Sequence, residues 1–299
     1  MLGQSLKRQW PLYLMILPGC IIVFIYAYWP MAGIVMAFQK FTPFKGLFGS
    51  EWVGLDNFTY LFALPDIWQV IWNTVFIAFM KIGGGLIVPV MIALLLNEVR
   101  GTLVKRGVQT LIYLPHFLSW VILGGIFIDI LSPATGIFNQ ILGLLGIEPI
   151  FFLGSNTWFP YTLVVTDIWK EFGFSTIVYL AALTSIDPSL YEAATVDGAG
   201  RWKQTWHVTL PGMLPIIILL STLSLGNVLN AGFDQVFNMY SPMVYESGDI
   251  LDTFIYRIGL QGAQYSVGTA IGLFKSVISL VFILTSYALA SRLANYRIF

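Results

Sequence analysis

Apolar residues in this chain come in runs too long for an ordinary soluble helix, separated by short polar stretches. Six such runs cover roughly residues 12–38, 70–96, 111–131, 158–186, 209–233 and 269–293. Each has about the 20 residues a helix needs to cross the hydrocarbon of a bilayer. Hydrocarbon offers no partner to an unpaired N–H or C=O, so runs of this length predict helices rather than strands. Pro18, Pro30, the Gly83-Gly84-Gly85 run and Pro89 lie inside them and predict kinks or close helix contacts. A buried soluble helix could explain one run, but not six with so few charges between. The pattern predicts an all-α polytopic membrane protein with six transmembrane helices.

Composition agrees. Of the 299 residues 57% are hydrophobic and only 10% charged, with a mean hydropathy of +0.80, well outside the range of soluble domains. The formal net charge is zero, and there is no polybasic run, so nothing points to nucleic acid as a partner. A single cysteine, Cys20, excludes an intramolecular disulfide. With two histidines it supplies too few ligands for a His/Cys metal site, so no metal is expected.

Basic residues orient the chain. If the N-terminus is cytoplasmic, the inner segments hold Lys7, Arg8, Arg100, Lys105, Arg106, Arg201, Lys203, Arg292 and Arg297, and the outer ones only Lys40, Lys45 and Arg257. Nine against three places both termini inside. The outer loops are rich in aromatic residues, Phe41, Phe44, Phe48 and Trp52 among them, as suits a water–lipid boundary. Lys7 and Arg8 before an apolar run could start a signal peptide, but the run continues past Cys20 without a small-x-small cleavage site. Leu17-Pro18-Gly19-Cys20 fits a lipoprotein cleavage box poorly because of Pro18. Asn57-Phe58-Thr59 matches a glycosylation acceptor too short to mean more than chance.

The polar segment at 187–211, LYEAATVDGAGRWKQTWHVTLP in its main part, interrupts this greasy pattern on the cytoplasmic side. Asp187-Pro188 is a helix start, with Asp187 as N-cap and Pro188 at the first helical position. A helix from Pro188 to about Val196 should stop at Gly198, which can adopt the left-handed conformation that ends helices. A second short helix is expected from Ala199 to His207, ahead of Pro211 and the fifth run. Ala193, Ala194, Gly198 and Ala199 keep the surface low enough for another protein's groove, with Glu192, Asp197 and Arg201 as charges that set register. The competing reading is an interfacial loop whose small residues pack on the chain's own helices.

Glu192-Ala193-Ala194, then Gly198, then Leu210-Pro211, resemble the EAA loop of bacterial ABC importer permeases. The longer stretch Tyr191–Ala199 is similar to the version in carbohydrate-uptake permeases, as are Trp52-Val53-Gly54-Leu55-Asp56-Asn57-Phe58, Asn73-Thr74, Tyr113-Leu114-Pro115 and Trp169-Lys170. Residues 41–58 and 109–120 resemble the polysaccharide and oligosaccharide subgroup. The resemblance covers nearly the whole chain. It implies one transmembrane permease domain over 1–299 with a type I ABC importer permease core, in a bacterial cytoplasmic (inner) membrane. It further implies a second permease subunit, identical or homologous, an ATPase dimer, an extracytoplasmic sugar-binding protein and a carbohydrate substrate. By carry-over Glu192, Ala193, Ala194, Asp197, Gly198, Ala199, Arg201, Leu210 and Pro211 form the ATPase-coupling surface. Independently, the chain has no G-x-x-x-x-G-K-[ST] loop, so no cofactor is expected on it, and ATP and Mg would sit on the partner ATPase.

Ionisable residues inside apolar runs are costly and point to function by default. Lys81, Asp129, Asp167, Lys170, Glu171 and Lys275 are such residues; for Lys81 and Asp129, ion pairing or snorkelling to the membrane boundary is the favoured explanation. Sugar recognition joins aromatic faces to hydrogen-bonding groups, so Trp169, Lys170, Glu171, Asn227, Asn230, Gln235 and Lys275 are the candidates for a substrate path. If the substrate is acidic, Lys170 or Lys275 would pair with its carboxylates. Two other classes compete. An ion-gradient-driven secondary transporter would account for the buried charges, but no inverted repeat of interrupted spans is visible. A membrane enzyme would need His116 or His207 as acid–base, yet neither has a nucleophile or metal-ligand spacing, and both read as structural.

Overall fold

A computed structural model describes residues 2–99 and 101–294, with the backbone alone for 2–9 and 289–294. Of the basic residues that orient the chain, Arg100 and Arg297 lie outside the described residues, as do the side chains of Lys7, Arg8 and Arg292. The chain forms two compact units, Met1–Leu64 with Ile255–Phe274, and Pro65–Phe254 with Lys275–Phe299.

The first unit opens with α1 (Leu2–Val23), which continues through a π turn (Phe24–Tyr28) into a tight helix (Trp29–Phe38). Pro30 sits at the start of that tight section, and Pro18 lies within α1. Over its apolar window the rod from Trp10 to Phe38 buries none of its residues inside the chain. A two-stranded antiparallel hairpin follows, β1 (Gln39–Lys40) against β2 (Glu51–Trp52), with Gln39 opposite Trp52. Phe38 stacks on Trp52 at 5.8 Å. Next comes α2 (Asp56–Ala63). Asn57 is engaged rather than presented: its amide donates to the carbonyls of Ala37 at 2.9 Å and Gln39 at 3.0 Å. Within the same unit the Phe41 N–H donates to Ser266 Oγ at 2.9 Å.

In the second unit α3 (Ile67–Glu98) is followed by α4 (Thr102–Tyr113), α5 (Trp120–Ile130), α6 (Ile137–Leu144), α7 (Phe159–Thr184), α8 (Pro188–Val196), α9 (Leu210–Leu225) and α10 (Phe233–Met239). The last helix, α11 (Tyr265–Ala294), begins in the first unit and finishes in the second. The long pair α3 and α7 packs side by side. Ile77, Phe159, Leu163, Val236, Met239 and Ile250 fill one buried cluster, and Ala93, Tyr179, Leu183, Ile186 and Met213 another. Within the spans such clusters are held by close packing and van der Waals contact, since lipid is as apolar as the side chains themselves.

Four described helices are long and apolar enough to cross a membrane, at 10–38, 67–98, 201–225 and 265–288, and a fifth span exists if one bent pair counts as one. The remaining expected span is α7, whose 26 residues would reach about 39 Å and so exceed the hydrocarbon thickness. It is kept out of the apolar class by Asp167, Lys170 and Glu171 in its middle, and with it the set is compatible with six crossings.

Two spans differ from expectation. The run at 111–131 is not one helix: the segment Thr102–Phe117 meets Trp120–Ile130 at 103°. Pro115 has no N–H to continue the ladder, and Leu118 and Ser119 are extended, with Ser119 accepting from Ile122 N as the cap of α5. The run at 209–233 also ends early. Its helix stops at Gly226, and a non-helical stretch containing Gly232 in the left-handed region (φ +93°) leads into the short α10.

Candidate functional site

Two places concentrate chemistry. The first is the polar segment between α7 and α9. Asp187 is its N-cap: the carboxylate accepts from Ser189 N at 2.9 Å, and Pro188 occupies the first helical position. That backbone hydrogen bond holds the exposed Asp187 carboxyl below its ordinary value. At the other end Gly198 has φ +72°, Ala199 N donates to Ala194 O at 2.8 Å, and Gly198 N to Thr195 O at 3.1 Å. These two bonds close α8 as a Schellman motif. The segment's second half differs from expectation. Instead of a separate helix from Ala199 to His207, a turn at Arg201–Gln204 and a π turn at Thr205–Thr209 run straight into α9. Leu210 and Pro211 follow directly on the π turn, so Pro211 lies inside the helical run Arg201–Leu225, beside the irregular turn that interrupts its regular ladder.

One face of α8 is anchored and the other is open. Tyr191 OH lies 3.0 Å from Thr209 Oγ1 and its ring packs on the cluster around Tyr179. Gln204 Nε2 donates to Thr195 Oγ1 at 3.1 Å and to Ala199 O at 3.0 Å, tying the end of α8 to the turn that follows. Arg201 reaches Glu98 at the end of α3, Nη1 to Oε2, at 2.8 Å. Glu192, Ala193, Asp197 and Gly198 are exposed, Ala194 and Ala199 half-buried, and Val196 is 87% exposed. An apolar valine and small residues on the open face, with Glu192 and Asp197 beside them unpaired among the described residues, make a low surface that a groove could cover. Of the four small residues Ala193 and Gly198 lie open, while Ala194 and Ala199 are partly covered by the chain itself.

The second place is a set of polar side chains where α3, α7, α10 and the break before α5 meet. Lys81 Nζ lies 3.3 Å from Asp167 Oδ1, donates to Ala231 O at 2.7 Å and also bonds Gln235 Oε1. Gln235 Nε2 donates to Leu163 O at 2.7 Å and Thr166 Oγ1 at 2.8 Å. Each buried polar atom named here has a partner, as a low-dielectric site requires. Beside it, Lys170 Nζ is 2.7 Å from Glu171 Oε1, and His116 Nδ1 is 2.7 Å from Glu171 Oε2.

The expected path residues fall into different surroundings. Gln235 is fully buried with its amide spent on Lys81, Leu163 and Thr166, so it stands inside the wall and not on an open surface. Trp169 is half-open and lines an apolar cavity of about 520 Å³, and Asn227 and Asn230 are exposed in the non-helical stretch after α9. Lys170 and Lys275 do not stand ready for a substrate carboxylate: Glu171 answers one and Asp252 the other. Lys81 is paired, as expected, whereas Asp129 is exposed in the last turn of α5 with no partner among the described residues. His207 only accepts or donates locally, Nδ1 to Lys203 O at 3.0 Å. Sequence reading left out Asp252 and gave His116 only a structural part. Pro115 beside His116, with a carboxylate in the next span, was the available signal for the latter.

The family described as binding-protein-dependent transport system inner membrane component matches residues 85–295. The chain is 44% identical over 295 residues to the polygalacturonan/rhamnogalacturonan transport system permease protein YteP of Bacillus subtilis (strain 168), covering 99% of this chain and 92% of the relative. Its fold is similar to a chain in the crystal structure of a bacterial ABC transporter involved in the import of the acidic polysaccharide alginate. The TM-score is 0.90 at 41% identity, covering 98% of this chain and 99% of that one. It is also similar to a chain of the bacterial alginate ABC transporter in complex with alginate pentasaccharide-bound periplasmic protein. There the TM-score is 0.89 at 40% identity, covering 97% and 96%.

Proposed function

The chain belongs to the family of binding-protein-dependent transport system inner membrane components, and on that premise we propose that it is the pore-forming subunit of an ATP-driven importer of acidic oligosaccharides. It works with a second permease subunit, an ATPase dimer and an extracytoplasmic sugar-binding protein. Kinship supports the substrate class, since the relatives named above move polygalacturonan, rhamnogalacturonan and alginate. The ion-gradient alternative falls with the family.

One observation carries the mechanism: α8 is capped at both ends, anchored on one face through Tyr191 and Gln204, and open on the other. A rigid short helix of this kind transmits a push. Glu192, Ala193, Ala194, Asp197, Gly198 and Ala199 would rest in the ATPase, and Arg201 would pass the movement to α3 through Glu98. Because the turn after Gly200 runs unbroken into α9, displacement of α8 reaches Leu210, Pro211 and the span beyond. ATP and Mg are bound by the ATPase, and this chain neither binds nor hydrolyses nucleotide. Both termini face the cytoplasm, in keeping with the bias of the basic residues. On the way through, sugar meets Trp169, Asn227 and Asn230, while Lys170, Glu171 and Lys275 act through their ion pairs.

Reconstitution in proteoliposomes with both permeases, the ATPase and the sugar-binding protein tests this. Uptake of labelled oligogalacturonate should require ATP and the binding protein and should survive ionophores. Uptake that continues without the ATPase, or collapses with the ion gradient, would sink the proposal.

A further inference from the structure

The break in the third span is gripped from both sides by one turn of α7. Lys170 Nζ donates to the backbone carbonyl of His116 at 2.9 Å, on the near side of the break, and stands 5.7 Å from the ring centre of Trp120 on the far side. Glu171 spends both oxygens at the same place, one on Lys170 and one on His116, each at 2.7 Å. The His116 ring lies flat on Phe174, 4.1 Å between centres and 5° between planes. In hydrocarbon an unwound backbone survives only where protein satisfies it, and Lys170 does that for the His116 carbonyl, which the extended Leu118 and Ser119 leave without a helical partner. The grip consists of ion-pair and hydrogen-bond contacts that share Lys170, Glu171 and His116, so losing one member loosens the others.

Room to move lies next to it. The apolar cavity of about 520 Å³ separates α5 from α7, with Leu123, Phe127 and Ile130 on one side and Val165 and Trp169 on the other. The space is a cleft open to the surface, with Ile126, Val165 and Trp169 on its walls all exposed, so the 11-residue half-helix α5 meets no packed protein on that side. A hinge at Pro115–Ser119, a polar grip across it and an empty space beyond it occur together.

We propose that Glu171, with Lys170 and His116, is a latch that holds α5 in one of two positions, and that its release lets α5 close on the cavity during each transport cycle. Glu171 and His116 are thus positioning residues for the moving half-span. The proposal rests on the reading of the chain as an ATP-driven importer.

The test uses the whole complex in proteoliposomes, with Cys20→Ser to remove the native thiol and spin labels at Val121 in α5 and Ile177 in α7. The unmutated latch should give one resting distance and a second when ATP and sugar-loaded binding protein are added. Glu171→Gln should populate the second distance without ATP and raise basal ATPase activity several-fold, whereas Glu171→Asp should restore the resting distribution. Should Glu171→Gln fail to fold, His116→Phe keeps the stack on Phe174, removes the bond to Glu171 and should show the same shift. A single distance that never changes through the cycle would overturn the latch. So would loss of transport in both variants with the distance distribution intact. Absence of any ATP-driven uptake by the unmutated complex would instead count against the importer reading itself.

Discussion

Lys275 Nζ and Asp252 Oδ1 stand 2.5 Å apart, both about four-fifths buried, and this pair removes Lys275 from the set of free cations inside the membrane. Its positive charge is answered before any sugar arrives. Lys275→Ala should therefore reduce uptake of charged and neutral oligomers alike, by leaving Asp252 buried and alone. Breaking one side of such a pair costs about 3 kcal/mol. Thermal unfolding of the purified complex should fall accordingly, and Lys275→Ala with Asp252→Ala should recover much of the loss. Selective loss of charged oligomers in Lys275→Ala would restore a direct role in recognition.

Gly198 closes α8 at φ +72°, with open space around the position where a side chain would start. A β-branched residue there costs about 1–2 kcal/mol in backbone strain without any clash. Gly198→Val should unwind the end of α8 and cut substrate-stimulated ATPase activity several-fold, with thermal unfolding of the membrane helices unchanged. Gly198→Asn, a residue that tolerates this conformation, should keep most of the stimulation. Equal behaviour of the two variants would argue against the cap as the element that matters.

Asp187 titrates in a known direction. Its folded carboxyl is held low by the Ser189 N–H, so the cap's contribution is fully present above the unfolded-chain value of about 3.9. It is lost only as pH falls through the lower folded value. Hydrogen exchange across α8, corrected for intrinsic rates, should stay flat from about pH 7 to 5 and rise in stronger acid. Asp187→Asn should remove that acid limb while preserving the helix. An exchange rise near neutral pH would contradict the assignment.

Gly173 lets α4 approach α7 closely: a Cβ there would lie 1.9 Å from the carbonyl oxygen of Ile112. Since that oxygen is backbone, neither helix can yield locally. Gly173→Ala should cost at least about 2 kcal/mol and disturb the third span, lowering both yield and melting temperature. Gly83→Ala, where nothing lies within 4 Å, should change stability by less than about 0.5 kcal/mol. Helix propensity favours alanine at both positions, so similar losses from the two substitutions would show that the close approach at Gly173 is not what decides.

Local physics was legible in the chain because its causes sit within a few residues. The cap at Asp187, the proline at 188 and the stop at Gly198 each depend on neighbours inside α8, and each could be read from the segment itself. Long apolar runs were legible for a similar reason, since hydrocarbon imposes length and composition on every span separately. The second half of the 187–211 segment was not, because a helix there has no local signal that separates it from the span it leads into. A π turn joins the two.

What the sequence by itself determined was the membrane class, the α-helical make-up and the two ends of α8. The tertiary structure decided which charges meet. Lys275 and Asp252 are 23 residues apart, and His116 and Glu171 are 55 apart, so no spacing rule connects them. It also decided that the third span breaks. Proline within a membrane helix is often no more than a kink, because neighbours can satisfy the freed carbonyl. Here the chain unwinds at Leu118 and Ser119 as well, and the Lys170 ammonium on the His116 carbonyl satisfies the group that this unwinding leaves open.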